Sequence, residues 1–160
     1  MNTPTNSIYN ISIQSIDNKL IKLQDYKGLY MLFVNVASYC GYTKQYSELQ
    51  KLEDDYNNIK VIGLPCNQFL FQEPFSENKI QQFCSVNYNI SFLMTKKIKV
   101  KGKGQHEIYK WLTSKDLNGL KNSIVKWNFQ KYLVNKNGQL IDCFYSKTLP
   151  LSENITKHLI

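Results

Sequence analysis

Cys40 is the residue in this chain that is best placed to do chemistry. It lies between an apolar run, Leu29–Ala37, that is typical of a buried strand, and a segment, Thr43–Tyr56, whose apolar residues recur every three or four positions as in a helix. We therefore expect Cys40 at a strand-to-helix turn, where unpaired N–H groups and the positive end of the helix dipole stabilise a thiolate. Because the thiolate is the nucleophilic form, this position predicts a nucleophilic cysteine. A small buried cysteine without a reaction is the alternative for Cys40 taken alone.

The composition is that of a folded protein, and we expect residues 1–160 to form one domain. Hydrophobic residues make up 42% of the chain, and no apolar run approaches the ~18 residues of a membrane-spanning helix. The first residues lack the charged and apolar segments of a secretory signal. We therefore expect a cytoplasmic protein without stable insertion into a membrane.

The net charge of +8 is compatible with a nucleic-acid partner, but the kind of basic residue disfavours one. All 20 basic residues are lysine, and arginine, the usual residue for bidentate recognition of phosphates and bases, does not occur. The densest basic segment, Lys96–Lys103, contains two glycines and is typical of a solvated loop that can steer an acidic partner. We expect no nucleic-acid binding.

The four cysteines, Cys40, Cys66, Cys84 and Cys143, have spacings that disfavour a zinc site. No two of them have C-x-x-C spacing, and neither histidine lies within a few residues of a cysteine. In a cytoplasmic chain they are also not expected to form a structural disulfide framework. We expect no metal and no other cofactor, and one or two reactive thiols among the four.

The order of the predicted elements is that of an α/β protein with a thioredoxin-like fold. Leu29–Ala37, the following helix and the apolar segment Lys60–Leu64 predict a β-α-β unit with parallel strands. Residues 8–13 and 19–23 alternate apolar and polar and predict an N-terminal β-hairpin extension. The remaining predictions are helices at Ser76–Asn87, Gln105–Thr113 and Leu151–Ile160, strands at Phe129–Val134 and Gln139–Tyr145, an extended stretch at Lys97–Val100 and a loop at Leu117–Ser123.

In parallel sheets, functional sites form beyond the carboxyl ends of the strands. Cys40 leaves the first of the two parallel strands at that edge, and the segment Pro65–Pro74 leaves the second. The two turns are therefore expected to be neighbours in space, although they are far apart in the sequence.

Three blocks of this sequence resemble the motifs of the glutathione peroxidase family, in its cysteine-containing, thioredoxin-dependent branch. They read Asn35-Val-Ala-Ser-Tyr-Cys-Gly-Tyr-Thr43, then Leu64-Pro-Cys-Asn-Gln-Phe69 followed by Gln72-Glu-Pro74, then Trp127-Asn-Phe129 followed by Lys131-Tyr-Leu-Val134. The resemblance runs from about Ile8 to Pro150, with the blocks in the family's order and nearly its spacing. It implies a thioredoxin-like fold and a thiol peroxidase.

The resemblance also implies the site residues. Cys40 corresponds to the peroxidatic cysteine, and the other members of the catalytic tetrad are Gln72, Trp127 and Asn128. Amide and indole N–H groups suit that chemistry, because they hold a thiolate and stabilise a developing oxyanion without adding a permanent charge. Cys84 corresponds to the cysteine that resolves the sulfenic acid formed on Cys40.

The resolving role of Cys84 requires the two sulfurs to come within bonding distance, ~2.05 Å. Because Cys84 lies on a predicted helix, we expect residues 76–87 to unwind locally when the disulfide forms. The alternative is a cysteine on a helix face without a role. Cys66 and Cys143 are expected to be packing thiols.

Among the departures from the family's pattern, one concerns the placement of Gln72 and another the oligomeric state. Leu70 stands where the family usually has glycine, and a positive φ there would strain a leucine and disturb the placement of Gln72. The family's long insertion, which builds tetramers in some members, is missing after Lys115. Its absence predicts a monomer or weak dimer, with an active site open enough for bulky lipid hydroperoxides.

The sequence therefore predicts an antioxidant thiol peroxidase that reduces hydrogen peroxide and organic or lipid hydroperoxides. Cys40 attacks, Cys84 resolves, and thioredoxin returns the electrons. Three alternatives stay open: a redox relay that passes oxidation to a client protein, a one-cysteine peroxidase that uses glutathione, and a non-catalytic, lysine-rich binding module.

Overall fold

Seven strands and five α-helices make up residues 6–160, the part of the chain that the computed structural model describes. The strands are β1 (Ser12–Gln14), β2 (Leu20–Lys22), β3 (Tyr30–Val36), β4 (Ile59–Pro65), β5 (Leu93–Met94), β6 (Lys131–Val134) and β7 (Leu140–Phe144). The helices are α1 (Gln45–Asp55), α2 (Glu77–Tyr88), α3 (Glu107–Thr113), α4 (Lys115–Asn118) and α5 (Glu153–Thr156). None of these helices is both long and apolar enough to cross a membrane.

The central sheet has the strand order β5-β4-β3-β6-β7. Strands β3, β4 and β5 are parallel to one another, while β6 pairs antiparallel with β3 and β7 antiparallel with β6. The predicted β-α-β unit is thus β3, α1 and β4, and the carboxyl ends of its two strands lie at the same edge of the sheet. This is the thioredoxin-like α/β arrangement that the order of the elements predicted.

Strand β3 is buried on both faces and divides the interior into two apolar cores. Met31 and Phe33 pack in a core with residues of the N-terminal segment and α3. Leu32 and Val34 alternate with them and pack in a core with residues of α1, α2 and α5. Because successive side chains of a strand point to opposite faces, a central strand of this kind reads as a continuous apolar run in the sequence.

The N-terminal hairpin is confirmed, although it is shorter than the alternation predicted. Strands β1 and β2 pair antiparallel, and residues 8–10 form a 3-10 turn instead of extending β1. The hairpin is tied to the main sheet by backbone hydrogen bonds from Ile16 N–H to the Met94 carbonyl (2.9 Å) and from Lys96 N–H to the Gln14 carbonyl (3.1 Å).

Some of the predicted bounds differ from the observed ones. Strand β5 was not predicted, and in it Leu93 and Met94 pair with Ile62 and Gly63 of β4. The stretch predicted to be extended at Lys97–Val100 is not a strand. The first two residues of the loop predicted at Leu117–Ser123 belong to helix α4. This helix ends at Gly119, which has a left-handed backbone conformation. Helix α5 is four residues long, shorter than the helix predicted at Leu151–Ile160. After it, the chain continues in turns with hydrogen bonds between residues three apart, up to Leu159.

Candidate active site

Cys40 lies in the turn that links β3 to α1, and it is buried. The Thr43 hydroxyl holds this turn, since it accepts the Cys40 N–H at 3.0 Å and donates to the Ala37 carbonyl at 2.8 Å. The N–H of Tyr42 points at the Cys40 sulfur from 3.4 Å. Helix α1 begins at Gln45, two residues later than predicted, so the N–H that contacts the sulfur belongs to the turn and not to the helix. An N–H aimed at sulfur interacts more strongly with a thiolate than with a thiol.

Gln72 lies in the loop that follows β4, and this loop is left-handed at two successive residues. Leu70 and Phe71 both have φ of +53°, and their side chains are 73% and 79% exposed. The Tyr39 N–H donates to the Gln72 carbonyl at 3.0 Å, which joins this loop to the turn of Cys40. The two turns are therefore neighbours, as the parallel strands predicted. The strain expected at Leu70 is present, and it extends to Phe71.

Trp127 and Asn128 lie in the segment before β6, which is fastened to the end of β3. The Asn35 side-chain N–H donates to the Trp127 carbonyl at 3.0 Å. The Trp127 ring packs against Phe69, with ring centroids 5.6 Å apart. Asn128 is fully buried, and its Nδ2 donates to Oε1 of Gln72 at 2.9 Å.

The structure thus brings the segments of four predicted site residues to one edge of the sheet. Gln72 and Asn128 are in direct contact, and the turn of Cys40 is hydrogen-bonded to the backbone of Gln72. The positive φ at Leu70 does not prevent that contact. The catalytic roles of Cys40, Gln72, Trp127 and Asn128 remain predictions.

Cys84, the predicted resolving residue, lies on α2 with 2% of its surface exposed. It shares an apolar core with Cys40, and both are free thiols. Burial raises the pKa of the Cys84 thiol to about 11, although interaction with the Tyr46 hydroxyl opposes that shift. The Tyr46 hydroxyl is buried and has no hydrogen bond of ordinary geometry to any described residue, so its interaction with the thiol is a weak one.

Two polar residues that the sequence did not single out tie the site together. The Ser38 hydroxyl lies 3.0 and 2.9 Å from the two carboxylate oxygens of Glu73, which is fully buried. The Glu73 N–H in turn donates to Oδ1 of Asn67 at 3.0 Å. Burial raises the pKa of the Glu73 carboxyl to about 7. Glu73 stands in the quoted block Gln72-Glu-Pro74, but nothing in that block distinguishes a buried carboxyl from a solvated one.

A buried lysine supports the segment that carries Asn128. Lys131 is fully inaccessible, and its Nζ donates to the Phe129 carbonyl at 2.7 Å and the Ser146 carbonyl at 3.3 Å. The Ser146 hydroxyl donates to the Asn128 carbonyl. Burial lowers the pKa of the Lys131 amine to about 7. The sequence placed Lys131 in the third motif block without predicting its burial.

The other two cysteines are buried away from these contacts. Cys66 lies directly after β4 and Cys143 lies on β7, and burial raises the pKa of both thiols. The four cysteines therefore occupy four different segments: the turn after β3, the end of β4, α2 and β7. The packing role of Cys66 and Cys143 stays a prediction.

The sheet thus carries Cys40 on its first β-α turn, and this turn is hydrogen-bonded to the loop that bears the Gln72–Asn128 pair. Residues 8–113 match the family described as Glutathione peroxidase. The chain belongs to the glutathione peroxidase family, and it is a peroxidase.

Relatives cover nearly the whole chain. It is 39% identical to the glutathione peroxidase homolog BsaA of Bacillus subtilis over 157 residues, which are 96% of this chain and 98% of that relative. It is 45% identical to the glutathione peroxidase-like peroxiredoxin HYR1 of Saccharomyces cerevisiae over 137 residues, 83% of this chain and 84% of that one. The crystal structure of T. cruzi GPX1 superposes with a TM-score of 0.73 at 29% identity and covers 96% and 94% of the two chains. The predicted family and fold class are confirmed.

Proposed function

We propose that this chain is a two-cysteine peroxidase that reduces hydrogen peroxide and organic hydroperoxides, lipid hydroperoxides included, and that thioredoxin recycles it. The observation that carries the proposal is the Gln72–Asn128 amide pair, held beside the Cys40 turn by the Tyr39 hydrogen bond. The names of two yeast relatives, both glutathione peroxidase-like peroxiredoxins, support it.

In the first step, the Cys40 thiolate attacks one oxygen of the hydroperoxide. An S–O bond forms as the O–O bond breaks, and the leaving alkoxide or hydroxide takes up a proton to become an alcohol or water. Cys40 is left as a sulfenic acid. The Gln72 amide and the Trp127 indole supply neutral N–H donors for the charge that moves from sulfur to the leaving oxygen. Asn128 fixes the orientation of the Gln72 amide, because Asn128 Nδ2 donates to the Gln72 side-chain oxygen. The Gln72 N–H₂ group is then left to donate to the reacting atoms.

In the second step, Cys84 attacks the Cys40 sulfenic acid. An S–S bond forms, and the hydroxide that leaves Cys40 takes a proton and becomes water. A thiol with a pKa of about 11 is protonated at neutral pH, so Cys84 is a poor nucleophile in its buried position. Opening of α2 would bring Cys84 towards Cys40 and hydrate the thiol at the same time, which removes the cause of the raised pKa.

The reductant follows from the product of this cycle. An internal disulfide is reduced by thiol–disulfide exchange, and a dithiol such as thioredoxin completes that exchange within one complex. Exposed apolar side chains at the mouth of the site, Tyr39, Leu70 and Phe71, suit organic hydroperoxides in addition to hydrogen peroxide. The chain works as a monomer or weak dimer in the cytoplasm in this proposal.

The test is the rate of NADPH oxidation with thioredoxin, thioredoxin reductase and a hydroperoxide. We compare the wild type with Cys40→Ser and Cys84→Ser, and we use Cys143→Ser as the matched control because it replaces a buried cysteine on β7. The proposal expects turnover in the wild type and in Cys143→Ser, and none in the other two variants.

Two other results would redirect the assignment. Turnover of Cys84→Ser with glutathione in place of thioredoxin would make the chain a one-cysteine enzyme. Oxidation of Cys40 without turnover by either donor would favour the relay that passes oxidation to a client.

A further inference from the structure

The Ser38–Glu73 pair connects the two turns that carry Cys40 and Gln72. Ser38 precedes Cys40 by two residues, and Glu73 directly follows Gln72. Both carboxylate oxygens of Glu73 face the same hydroxyl, at 3.0 and 2.9 Å, and both residues are buried. Within residues 6–160, one other hydrogen bond joins the two turns. It runs from the Tyr39 N–H to the Gln72 carbonyl. The rings of Tyr39 and Phe75 also pack between the two turns, with centroids 5.1 Å apart, so the pair is a buried polar contact that adds to one backbone and one aromatic contact.

A buried carboxyl is costly to ionise, and its surroundings decide the charge that it carries. Lys97 is the cation that favours the carboxylate of Glu73. Cys84 on α2 and Tyr46 on α1 also face Glu73, and its charge opposes the ionisation of both. Burial keeps Cys84 and Tyr46 neutral near pH 7, because the pKa of each is raised. The Ser38 hydroxyl also favours the carboxylate, as do the backbone N–H groups of Ser38 and Phe75.

We infer that Glu73 is a positioning residue, whose ionised carboxylate binds the Ser38 hydroxyl and holds the turn of Cys40 against the loop of Gln72. The inference rests on the proposed function, because it assigns Glu73 a part in the reaction of Cys40. Hydrogen bonds to a charged acceptor are shorter and stronger than those to a neutral one. The pair is therefore tightest when Glu73 is ionised, and it loosens when the pH falls through the pKa of Glu73, about 7.

The variant Glu73→Gln keeps the size of the side chain and removes its titration. It should behave like the protonated wild type at every pH. We therefore use the ratio of the wild-type rate to the Glu73→Gln rate at each pH. Displacement of a reacting group by a fraction of an ångström lowers a rate by about tenfold. The ratio should rise from about 1 at pH ~5.5 to about 10 at pH ~8.5, with its midpoint near 7.

The rates are those of Cys40 in a Cys84→Ser background, where the disulfide does not form. One readout is oxidation by hydrogen peroxide in a single turnover, with the sulfenic acid trapped by dimedone and counted by mass spectrometry. The second is alkylation of Cys40 by iodoacetamide, which needs no peroxidase activity. Glu107→Gln, which removes an exposed carboxyl on α3, is the matched control, and its ratio should stay at 1 across the range.

Ser38 gives an independent arm if Glu73→Gln fails to fold. Ser38→Ala removes the donor and should lower both rates about tenfold at pH ~8.5, and Ser38→Thr should restore them because it keeps the hydroxyl. Wild-type rates in Ser38→Ala would overturn the inference.

The outcomes separate this inference from the proposed function. A ratio that stays constant with pH for both reagents, in a protein that reduces peroxide, overturns the positioning role and leaves the peroxidase. A ratio that rises with pH for iodoacetamide, in a protein that peroxide does not oxidise, supports the positioning role and overturns the peroxidase.

Discussion

At the residue scale, the most unusual feature is the pair Leu70 and Phe71, two large apolar residues with left-handed backbone at the mouth of the site. The left-handed region costs a non-glycine residue roughly 1–2 kcal/mol. Burial of the side chains does not offset this cost, since both are more than two-thirds exposed. The strain is carried by a loop that places Gln72 against Asn128.

Leu70→Gly should therefore make the protein more stable. Glycine adopts the observed φ of +53° at no steric cost, and little packing is lost. After the larger entropy of a glycine in the unfolded chain is subtracted, the expected gain in unfolding free energy is about 1 kcal/mol. Urea unfolding measures it. The control is Leu149→Gly, which removes an exposed leucine outside the left-handed region and should lose about 0.5–1 kcal/mol. A Leu70→Gly protein no more stable than Leu149→Gly would contradict the strain.

The candidate site residues could be predicted from the sequence, but the buried residues that hold them in place could not. Cys40, Gln72, Trp127 and Asn128 stand in recognisable blocks, so a single sequence points to them. The Ser38–Glu73 pair and Lys131 leave no such signal, because a serine, a glutamate and a lysine are far more often solvated than buried. Their burial follows from three distant segments meeting at one edge of the sheet, which is a property of the fold.

At the scale of elements, α2 is the part of the structure that the proposed cycle has to change. Ser76 caps its N-terminus and Asn89 closes its C-terminus in a left-handed conformation. Cys84 lies between these caps and is almost completely covered. We therefore expect the proposed disulfide with Cys40 to require a local opening of α2.

Oxidation should reduce the helix content. One equivalent of hydrogen peroxide added to the reduced wild type should lower the circular dichroism signal at 222 nm, because α2 opens around Cys84. Dithiothreitol should restore it. In Cys84→Ser the signal should stay constant on oxidation of Cys40. A wild-type disulfide formed without loss of helix signal would exclude the opening of α2.

The β4–β5 contact shows a second constraint at this scale. A Cβ added at Gly63 would lie 2.6 Å from the Met94 sulfur and 3.1 Å from the Phe92 ring. The side chains of Met94 and Phe92 therefore occupy the space that a side chain at residue 63 would need. The sequence missed this strand, since two residues are too few to show an alternation.

Gly63→Ala should destabilise the protein by about 1–3 kcal/mol, because overpacking forces Met94 and Phe92 out of position. Thermal or urea unfolding measures the loss. Gly41→Ala is the matched control: no heavy atom lies within 4 Å of its added Cβ, and its φ is not positive. It should change the unfolding free energy by no more than about 0.5 kcal/mol. Equal effects of the two substitutions would show that β5 tolerates a side chain there.

At the scale of the whole molecule, burial shifts the pKa values of two ionisable groups beside the site in opposite directions. Glu73 has its pKa raised to about 7 and Lys131 has its pKa lowered to about 7, both by burial. The folded protein favours the neutral form of each. Their combined contribution to stability is therefore smallest near neutral pH, where both groups are partly charged.

The sign for Glu73 can be tested. Its unfolded pKa is 4.5 and its folded pKa about 7, so the stabilising contribution is complete below 4.5 and is lost as the pH rises through 7. Over that window the loss approaches about 3 kcal/mol. Urea unfolding at a series of pH values should show this decline in the wild type and not in Glu73→Gln. The exposed Glu107→Gln control should decline in parallel with the wild type, and a parallel decline in Glu73→Gln would assign the effect to other groups.

Because the four cysteines lie on four different segments, their disulfide partners can be identified in a proteolytic digest. The chain contains no arginine, and lysines separate the four segments that carry the cysteines. A lysine-specific protease therefore releases each cysteine in a peptide of its own: 28–44 with Cys40, 61–79 with Cys66, 80–96 with Cys84 and 137–147 with Cys143. Every possible disulfide joins a different pair of these peptides and has a unique mass. A single digest without reduction thus identifies the partner of Cys40 in any oxidised state of the protein.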